Sequence, residues 1–431
     1  MTTYNTYKDS GIAWLGQIPS HWEVKRLGSF FNERRQKVSD KDFEPLSVTK
    51  LGIFPQWENV AKTNDGDNRK LVRKGDFVIN SRSDRKGSSG VSELDGSVSL
   101  INIVLSPKET VIPVFCNYLL KCNSFIEEYY RIGRGIVADL WTTRYQEMKC
   151  MDIAMPPLAE QEAIVNYLKN ATAKIDEAIA QQQKMIDLLK ERKQIIINEA
   201  VTHGLDPNIP MKPTGIDWLP QIPAHWRTRR FKYLYRTRTG VSFTKAQIED
   251  EGEKVISYGQ IHSKDNWFAA INPELIRHIP PTLVAGYDGA ISNKGDFLFA
   301  DTSEDFEGCG NCIYVDLDDK IYAGYHTILA KNINSEHGQY LAYLFASPNW
   351  RGQVRSAVNG VKVYSVTQSI LNNVYVLLPP LDEQKQIAEY IICAVKPIDL
   401  AISSCTAMIK KLSERKQIVI NDVVTGKIKV I

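Results

Sequence analysis

The chain has 431 residues, 43% apolar and 24% charged, with a net charge of +3. That length suffices for two or three domains with real cores, and the composition is that of an ordinary soluble protein. Seven cysteines, an odd number without regular spacing, suggest reduced thiols in the cytosol. Met1 to Asn5 hold no apolar run, and stretches such as Ile195-Ile196-Ile197 are too short for a bilayer. A soluble, cytoplasmic protein with no membrane contact is therefore expected. The mild charge leaves a nucleic-acid partner open, and the question becomes where the charge clusters.

In chain order, the first distinctive element is Trp14-Leu15-Gly16-Gln17-Ile18-Pro19-Ser20-His21-Trp22. It recurs 204 residues on as Trp218-Leu219-Pro220-Gln221-Ile222-Pro223-Ala224-His225-Trp226. His21 and His225 have no nucleophile or acid beside them, so they are read as structural, stacking within a Trp-rich turn. A basic stretch, Arg34-Arg35-Gln36-Lys37, follows the first copy. Arg227-Thr228-Arg229-Arg230, Arg236-Thr237-Arg238 and then Lys245 follow the second.

Lys74-Gly75-Asp76-Phe77-Val78-Ile79 reads as a turn entering a strand and is echoed by Lys294-Gly295-Asp296-Phe297-Leu298-Phe299. The loops beyond diverge. The first runs from Asn80 to Gly90 and carries Arg82, Arg85 and Lys86, residues that could cradle phosphate or offer guanidinium groups to guanine edges. The second, Ala300 to Gly308, is acidic and cannot do this directly. Arg131-Ile132-Gly133-Arg134-Gly135 adds two basic residues to the first block. The DNA-contact candidates are thus Arg34, Arg35, Arg82, Arg85, Lys86, Arg131, Arg134, Arg236, Arg238 and Lys245.

Apolar strands at Met151 to Met155 and Val374 to Leu378 each run into a Pro-Pro-Leu. Pro156-Pro157-Leu158-Ala159-Glu160-Gln161 recurs 223 residues on as Pro379-Pro380-Leu381-Asp382-Glu383-Gln384, and Glu191-Arg192-Lys193-Gln194-Ile195 recurs, also 223 on, as Glu414-Arg415-Lys416-Gln417-Ile418. Nothing is inserted between these two motifs, so all nineteen extra residues of the second copy lie upstream. A constant length suits a helix that must keep phase, since one inserted residue turns the rest by about 100°.

Each fixed block predicts a helix of about 40 residues, or about 60 Å. The first seam comprises Leu168, Ile175, Ile179, Ile186, Leu189 and Ile196, with Lys193 in phase. The second comprises Ile391, Ile398, Ile402, Ile409, Leu412 and Val419, with Lys416 in phase. Each helix needs a partner and the obvious one is its own copy, in antiparallel pairing. The alternative is that each packs only on its own domain. Pro397 should kink or break the second helix. The expected domains are 1–155, 156–203 (helix), 204–378 and 379–431 (helix). The fold class is α/β, mixed α+β, in two copies joined by an antiparallel coiled coil, a pseudo-two-fold internal repeat.

Catalytic motifs are missing from the sequence. It has no phosphate-binding GxxxxGK[ST] loop and no HExxH, and Gly133-Arg134-Gly135 lacks a third glycine. Met155-Pro156-Pro157-Leu158 is not an amino-methyltransferase loop. Glu147-Met148-Lys149 could be half of a nuclease motif, but the second copy has Ile370-Leu371-Asn372 there. Cys309-Gly310-Asn311-Cys312 lacks the second ligand pair of a structural zinc site and is read as a turn, with no metal.

The two WLxQIPxHW motifs, the PPLAEQ/PPLDEQ pair and the ERKQIIINEAV/ERKQIVINDVV pair resemble the specificity subunits of type I restriction–modification systems. The resemblance covers essentially the whole chain. It implies that each variable block is a target recognition domain reading one half of a bipartite, asymmetric sequence in double-stranded DNA. The helices would act as spacer and docking platform for two modification subunits, and motor–nuclease subunits would join. The chain itself would be non-catalytic and hold no cofactor, S-adenosylmethionine sitting on the modification subunits. Two competing readings are a free-standing nuclease or methyltransferase, which the missing motifs oppose, and a non-catalytic coiled-coil adaptor that binds only proteins.

Overall fold

Pro156-Pro157 and Pro379-Pro380 lack the N–H groups that would extend the strands before them, and a helix begins at the next residue in each case. The computed structural model describes residues 3–56, 66–136, 141–216, 219–333, 335–360 and 363–430; Trp218 of the second WLxQIPxHW motif lies outside them. The two long helices are Leu158–His203 and Leu381–Val424. Each stops at a glycine in the left-handed region, Gly204 (φ 79°) and Gly426 (φ 77°), the conformation that closes a helix C-terminus without a Cβ clash.

Pro397 lies inside the second helix, which continues unbroken on both sides, contrary to the expected break. Proline removes the hydrogen bond to the carbonyl four residues earlier, that of Cys393. Both residues are exposed, so water can take the donor's place.

The chain divides into two compact units: residues 1–183 with 406–431, and residues 184–405. The divisions fall inside the long helices rather than at their ends, so each unit contains one half of each helix.

In the first unit, Asn102–Pro107 pairs antiparallel with Phe77–Asn80 on one side and Phe31–Glu33 on the other, and Ser89–Val91 completes a four-stranded sheet. Helices Pro113–Lys121 and Asn123–Arg131 cover it. Trp22, Phe31, Phe77, Phe115 and Phe125 form the core with Ile164 and Leu168 of the first long helix and Val419, Ile420, Val423 and Val424 of the second. Further along, Lys416 meets Asp176. Residue numbers fall on one helix as they rise on the other, so these halves run antiparallel.

The second unit repeats the plan. Thr327–Asn332 pairs with Phe297–Ala300 and Tyr235–Thr239, and Cys312–Tyr314 completes the sheet. Ile197, Ala200 and Val201 of the first helix share a core with Ile387, Ile391 and Val395 of the second, and Lys193 meets Asp399, again antiparallel. The helices therefore pair antiparallel as expected, and the alternative that each packs only on its own domain does not hold, although their ends also pack on a domain. The register shows where the extra residues went. Tyr235 follows its counterpart Phe31 by 204 residues, but Asp296 follows Asp76 by 220, so sixteen of the nineteen lie between them. That segment contributes Glu253–Ile256, Arg277–Ile279 and Ile291–Ser292 to a separate four-stranded sheet completed by Ile321–Ala323, in which Val255↔Tyr322 and Ile256↔Ala323 pair in parallel. Its antiparallel edge, Ile291–Ser292 on Ile321–Ala323, is matched in the first unit by the antiparallel pairing Gly96↔Val72.

Candidate nucleic-acid interface

The repeated motifs form the frame that holds the variable loops. The buried Glu160 receives the Trp22 indole N–H at 3.1 Å and the Tyr4 hydroxyl at 2.5 Å, and His21 Nε2 lies 2.7 Å from its other oxygen. Burial and this bond push the Tyr4 hydroxyl pKa well up. Glu383 binds Trp226 at 3.0 Å and His225 at 2.6 Å in the same way. The histidines are thus clamps on the helix start, and the stacking expected for them is secondary. Gln161 accepts from Ile112 N and donates to the Thr110 and Pro156 carbonyls; Gln384 accepts from His337 N and donates to the Pro379 carbonyl. Each Glu-Gln pair ties a helix start to its own domain.

Asp76 and Asp296 close their turns by accepting from Arg73 N and Asn293 N, at 2.9 and 2.8 Å, with Gly75 (φ 92°) and Gly295 (φ 97°) making the bend. At the end of the following strand the two domains make the same connection. Arg82 bridges Thr142 in the first, and Thr143 N donates to the Ser81 carbonyl at 2.9 Å. Thr302 pairs with Ser365 in the second, and Val366 N donates to the Asp301 carbonyl at 2.7 Å. Thr142 also bridges Arg134. Two loops far apart in sequence therefore meet at one end of the first sheet.

The candidates divide by what they touch. Arg34 is withdrawn from the DNA-reading set: its guanidinium makes a bidentate contact with the buried Asp76 at 2.6 and 3.0 Å, and these bonds push its pKa up. It buttresses the turn. Arg131 is held bidentate by Glu128, Arg35 bonds Glu33, and Lys86 meets Glu127 at 2.6 Å; all three remain exposed. Arg82 lies 3.1 Å from Asp84 and is partly exposed. Of the first domain's candidates, Arg85 and Arg134 are the least engaged, 69% and 82% exposed, with carboxylates at 3.9 and 4.0 Å. Arg144 and Trp141, both exposed, join this sheet end and were missed in the sequence. Arg236 and Arg238 are exposed on the edge strand of the second sheet and Lys245 on a short turn beyond it.

Glu147, of the possible nuclease half-motif, faces Arg134, and the Lys149 carbonyl accepts from Gly28 N, which are structural roles. Cys309 and Cys312 are buried; burial pushes the Cys312 thiol up to about 12, which disfavours the thiolate a metal would need. Among the described residues no cluster of three or more His, Cys, Asp or Glu side chains could hold a metal ion.

The family model described as the type I restriction modification DNA specificity domain matches residues 223–398. The MjaVIII type I restriction enzyme specificity subunit of Methanocaldococcus jannaschii is 23% identical over 96% of this chain and 94% of its own length. The EcoKI specificity subunit of Escherichia coli K12 is 23% identical over 72% and 65%. A chain solved in work on complex assembly and conformational transition of the type I R-M system has 16% identity and a TM-score of 0.64, covering 94% of this chain and 98% of that one. Residues 223–398 thus match a type I restriction–modification DNA specificity domain, and nearly the whole chain is similar to specificity subunits of such systems. This similarity supports a DNA-binding specificity subunit of a multisubunit system over an enzyme, and the protein-only adaptor reading is not favoured.

The seam residues Leu168, Ile186, Ile391, Ile398 and Val419 are buried, and Ile175, Ile179, Leu189, Ile196, Ile402, Ile409 and Leu412 are partly buried. The outer face is not uniformly polar. Met185 and Ile195 in one unit are 49% and 48% exposed; their repeat counterparts in the other, Met408 and Ile418, are 48% and 60% exposed. The second helix also contains an 18-residue stretch of mean hydropathy 1.5, long and apolar enough to cross a membrane by composition alone. Lys396 and Asp399 interrupt it, so it holds no long unbroken apolar run. Apolar residues are thus kept at the same outward positions in both copies.

Proposed function

We propose that each unit reads one half of a split DNA sequence, using the sheet end where the strand after the KGDF turn meets the loop before the Pro-Pro-Leu motif. The observation that carries this reading is the shared connection with unlike side chains: Arg82 on Thr142 in one domain, Thr302 on Ser365 in the other. A common scaffold with exchanged surface residues is what two different half-sites require. In the first domain, Arg82, Arg85, Arg134 and Arg144 supply donors for phosphate and guanine edges, and Trp141 supplies an apolar face. Arg236, Arg238 and Lys245 supply phosphate contacts in the second.

The two outward apolar positions, Met185/Ile195 and Met408/Ile418, each seat one modification subunit, so two bind. Those subunits carry S-adenosylmethionine and the methyl-transfer chemistry, and motor–nuclease subunits complete the restriction complex. The constant-length helices set the spacer between half-sites. The test is to exchange residues 28–150 for the equivalent block of another specificity subunit and map the methylated sequence with the modification subunit present. One half of the motif is expected to change while the other half and the spacer stay fixed. A change in both halves would overturn the reading.

A further inference from the structure

The acidic loop of the second domain leaves open what reads its half-site, since no arginine stands where the first domain places Arg82. Strand register identifies the equivalent position. Asn102 pairs with Asn80 in the first sheet as Thr327 pairs with Ala300 in the second, so His326 corresponds to Ile101 and Asp301 to Ser81. His326 is one of two non-glycine residues with positive φ among the described residues, at 53°. A non-glycine side chain in this region is uncommon, and such residues gather at ligand contacts where the surrounding structure holds them.

The imidazole is held as well as the backbone. His326 Nδ1 lies 3.1 Å from Asp301 Oδ1 and 3.3 Å from Thr302 Oγ1. The Thr302 hydroxyl donates to Asp301 Oδ1 at 2.7 Å, so its own lone pair faces the histidine. Both neighbours accept, which places a proton on Nδ1 and leaves Nε2 as the group available to a ligand. The ring meets Tyr258 and Tyr325 at about 76°, edge to face. Its side chain is nonetheless 58% exposed. An exposed histidine held this firmly, at the sheet end assigned above to DNA, lacks an evident purpose in the fold.

We infer that His326, oriented by Asp301 and Thr302, is a specificity-determining residue of the second recognition domain, presenting Nε2 to a base edge in the major groove. The inference rests on the proposed reading of the sheet ends. It explains how a domain with an acidic loop can still read DNA. The Asp301 carboxylate is engaged by Thr302 and the histidine, and Arg236 and Arg238 lie on the strand next in order, where Thr239 pairs with Ile328, two residues from His326.

The test compares His326→Gly and His326→Asn with wild type, each assembled with the modification subunit. Both replacements tolerate positive φ, so neither strains the backbone and folding is preserved. The methylated motif should relax at one position of one half, and affinity for the wild-type motif should fall about 5- to 150-fold, with non-specific binding unchanged. Asp301→Asn, which keeps the shape but weakens the hold on the ring, should relax the same position less. If wild type methylates a bipartite motif and both His326 variants methylate it unchanged, this inference fails and the proposed function stands. If both variants lose cognate and non-specific binding equally, His326 is a phosphate contact and the inference also fails. If wild type methylates no bipartite motif, the proposed function itself is wrong.

Discussion

Lys193 donates to both carboxylate oxygens of Asp399, at 2.7 and 2.8 Å. The repeat converts Lys193 into Lys416 and Asp176 into Asp399, 223 residues on, and Lys416 donates to Asp176 at 2.7 and 2.6 Å. The same contact is made twice with the helices exchanging roles. A seam lysine would be costly without such an acid. Each lysine is about 30% exposed and each aspartate about half exposed, so a pair contributes about 0–1 kcal/mol. Lys193→Glu is expected to lower stability by about 1 kcal/mol through repulsion from Asp399, and adding Asp399→Lys should restore it. Urea unfolding of the single and double variants measures this; no recovery in the double variant would mean the two residues do not meet.

The clamps at the helix starts should be unequal. Glu160 is 7% exposed and serves Tyr4, His21 and Trp22, whereas Glu383 is 19% exposed and serves His225 and Trp226, Asn208 standing in the place of Tyr4. Replacing the buried carboxylate by an amide turns one acceptor into a donor facing other donors. Glu160→Gln should therefore cost about 2–3 kcal/mol and Glu383→Gln about 1 kcal/mol. Unfolding followed by tryptophan fluorescence checks this. Equal losses would show that Tyr4 adds nothing to the first clamp.

These contacts also mark what could be read from the sequence. Helix phase was legible because Leu168 to Ile196 and Ile391 to Val419 obey a heptad with no insertion to blur it. The pairing of Trp22 with Glu160 was not, because 138 residues separate them and neither motif encodes its partner; their joint retention in both copies was the only hint. Arg34 looked like a free basic residue because Asp76, which neutralises it, lies 42 residues on. Arg144 and Trp141 were missed because they become part of a cluster only when Thr142 bridges Arg82 and Arg134.

Pro397 carries a cost that the exposed helix face absorbs. Restoring the N–H lets the Cys393 carbonyl regain its helical partner. Pro397→Ala should stabilise the chain by about 2 kcal/mol, less than the full helix-interior penalty because proline also restricts the unfolded chain. Thermal melting checks this. A lower melting temperature in the alanine variant would show that packing requires a bend at this residue.

The outward apolar positions give a prediction about stoichiometry. Met185→Glu with Ile195→Glu, or Met408→Glu with Ile418→Glu, alters only residues about half exposed, so stability should stay within about 0.5 kcal/mol of wild type. Either pair should remove one modification subunit from the complex, and all four changes should remove both. Native mass spectrometry counts the subunits. Two modification subunits retained by the fourfold variant would place docking elsewhere.

The C-terminal stretch belongs to the first unit, and that predicts how the chain tolerates being recut. Gly426 approaches Pro19 and Trp22, Tyr7 donates its hydroxyl to the Lys427 carbonyl at 3.4 Å, and Ile428 and Val430 pack against the first unit's core. In the second unit the same passage is made by continuous chain, from the first long helix through the exposed residues Leu205 to Asn208 to the strand Met211–Ile216. Opening an exposed segment and closing two neighbouring ends leaves every buried contact in place. A permutant with the original ends joined by a flexible linker of about eight residues and reopened at Pro207 should fold with a melting temperature within about 5 °C of wild type. Its methylated motif should be the same. A soluble, folded permutant that methylates a different motif would show that the continuous chain at Pro207 helps set the recognition geometry; an insoluble one would show that the passage from His203 to Met211 is needed for the second unit to form.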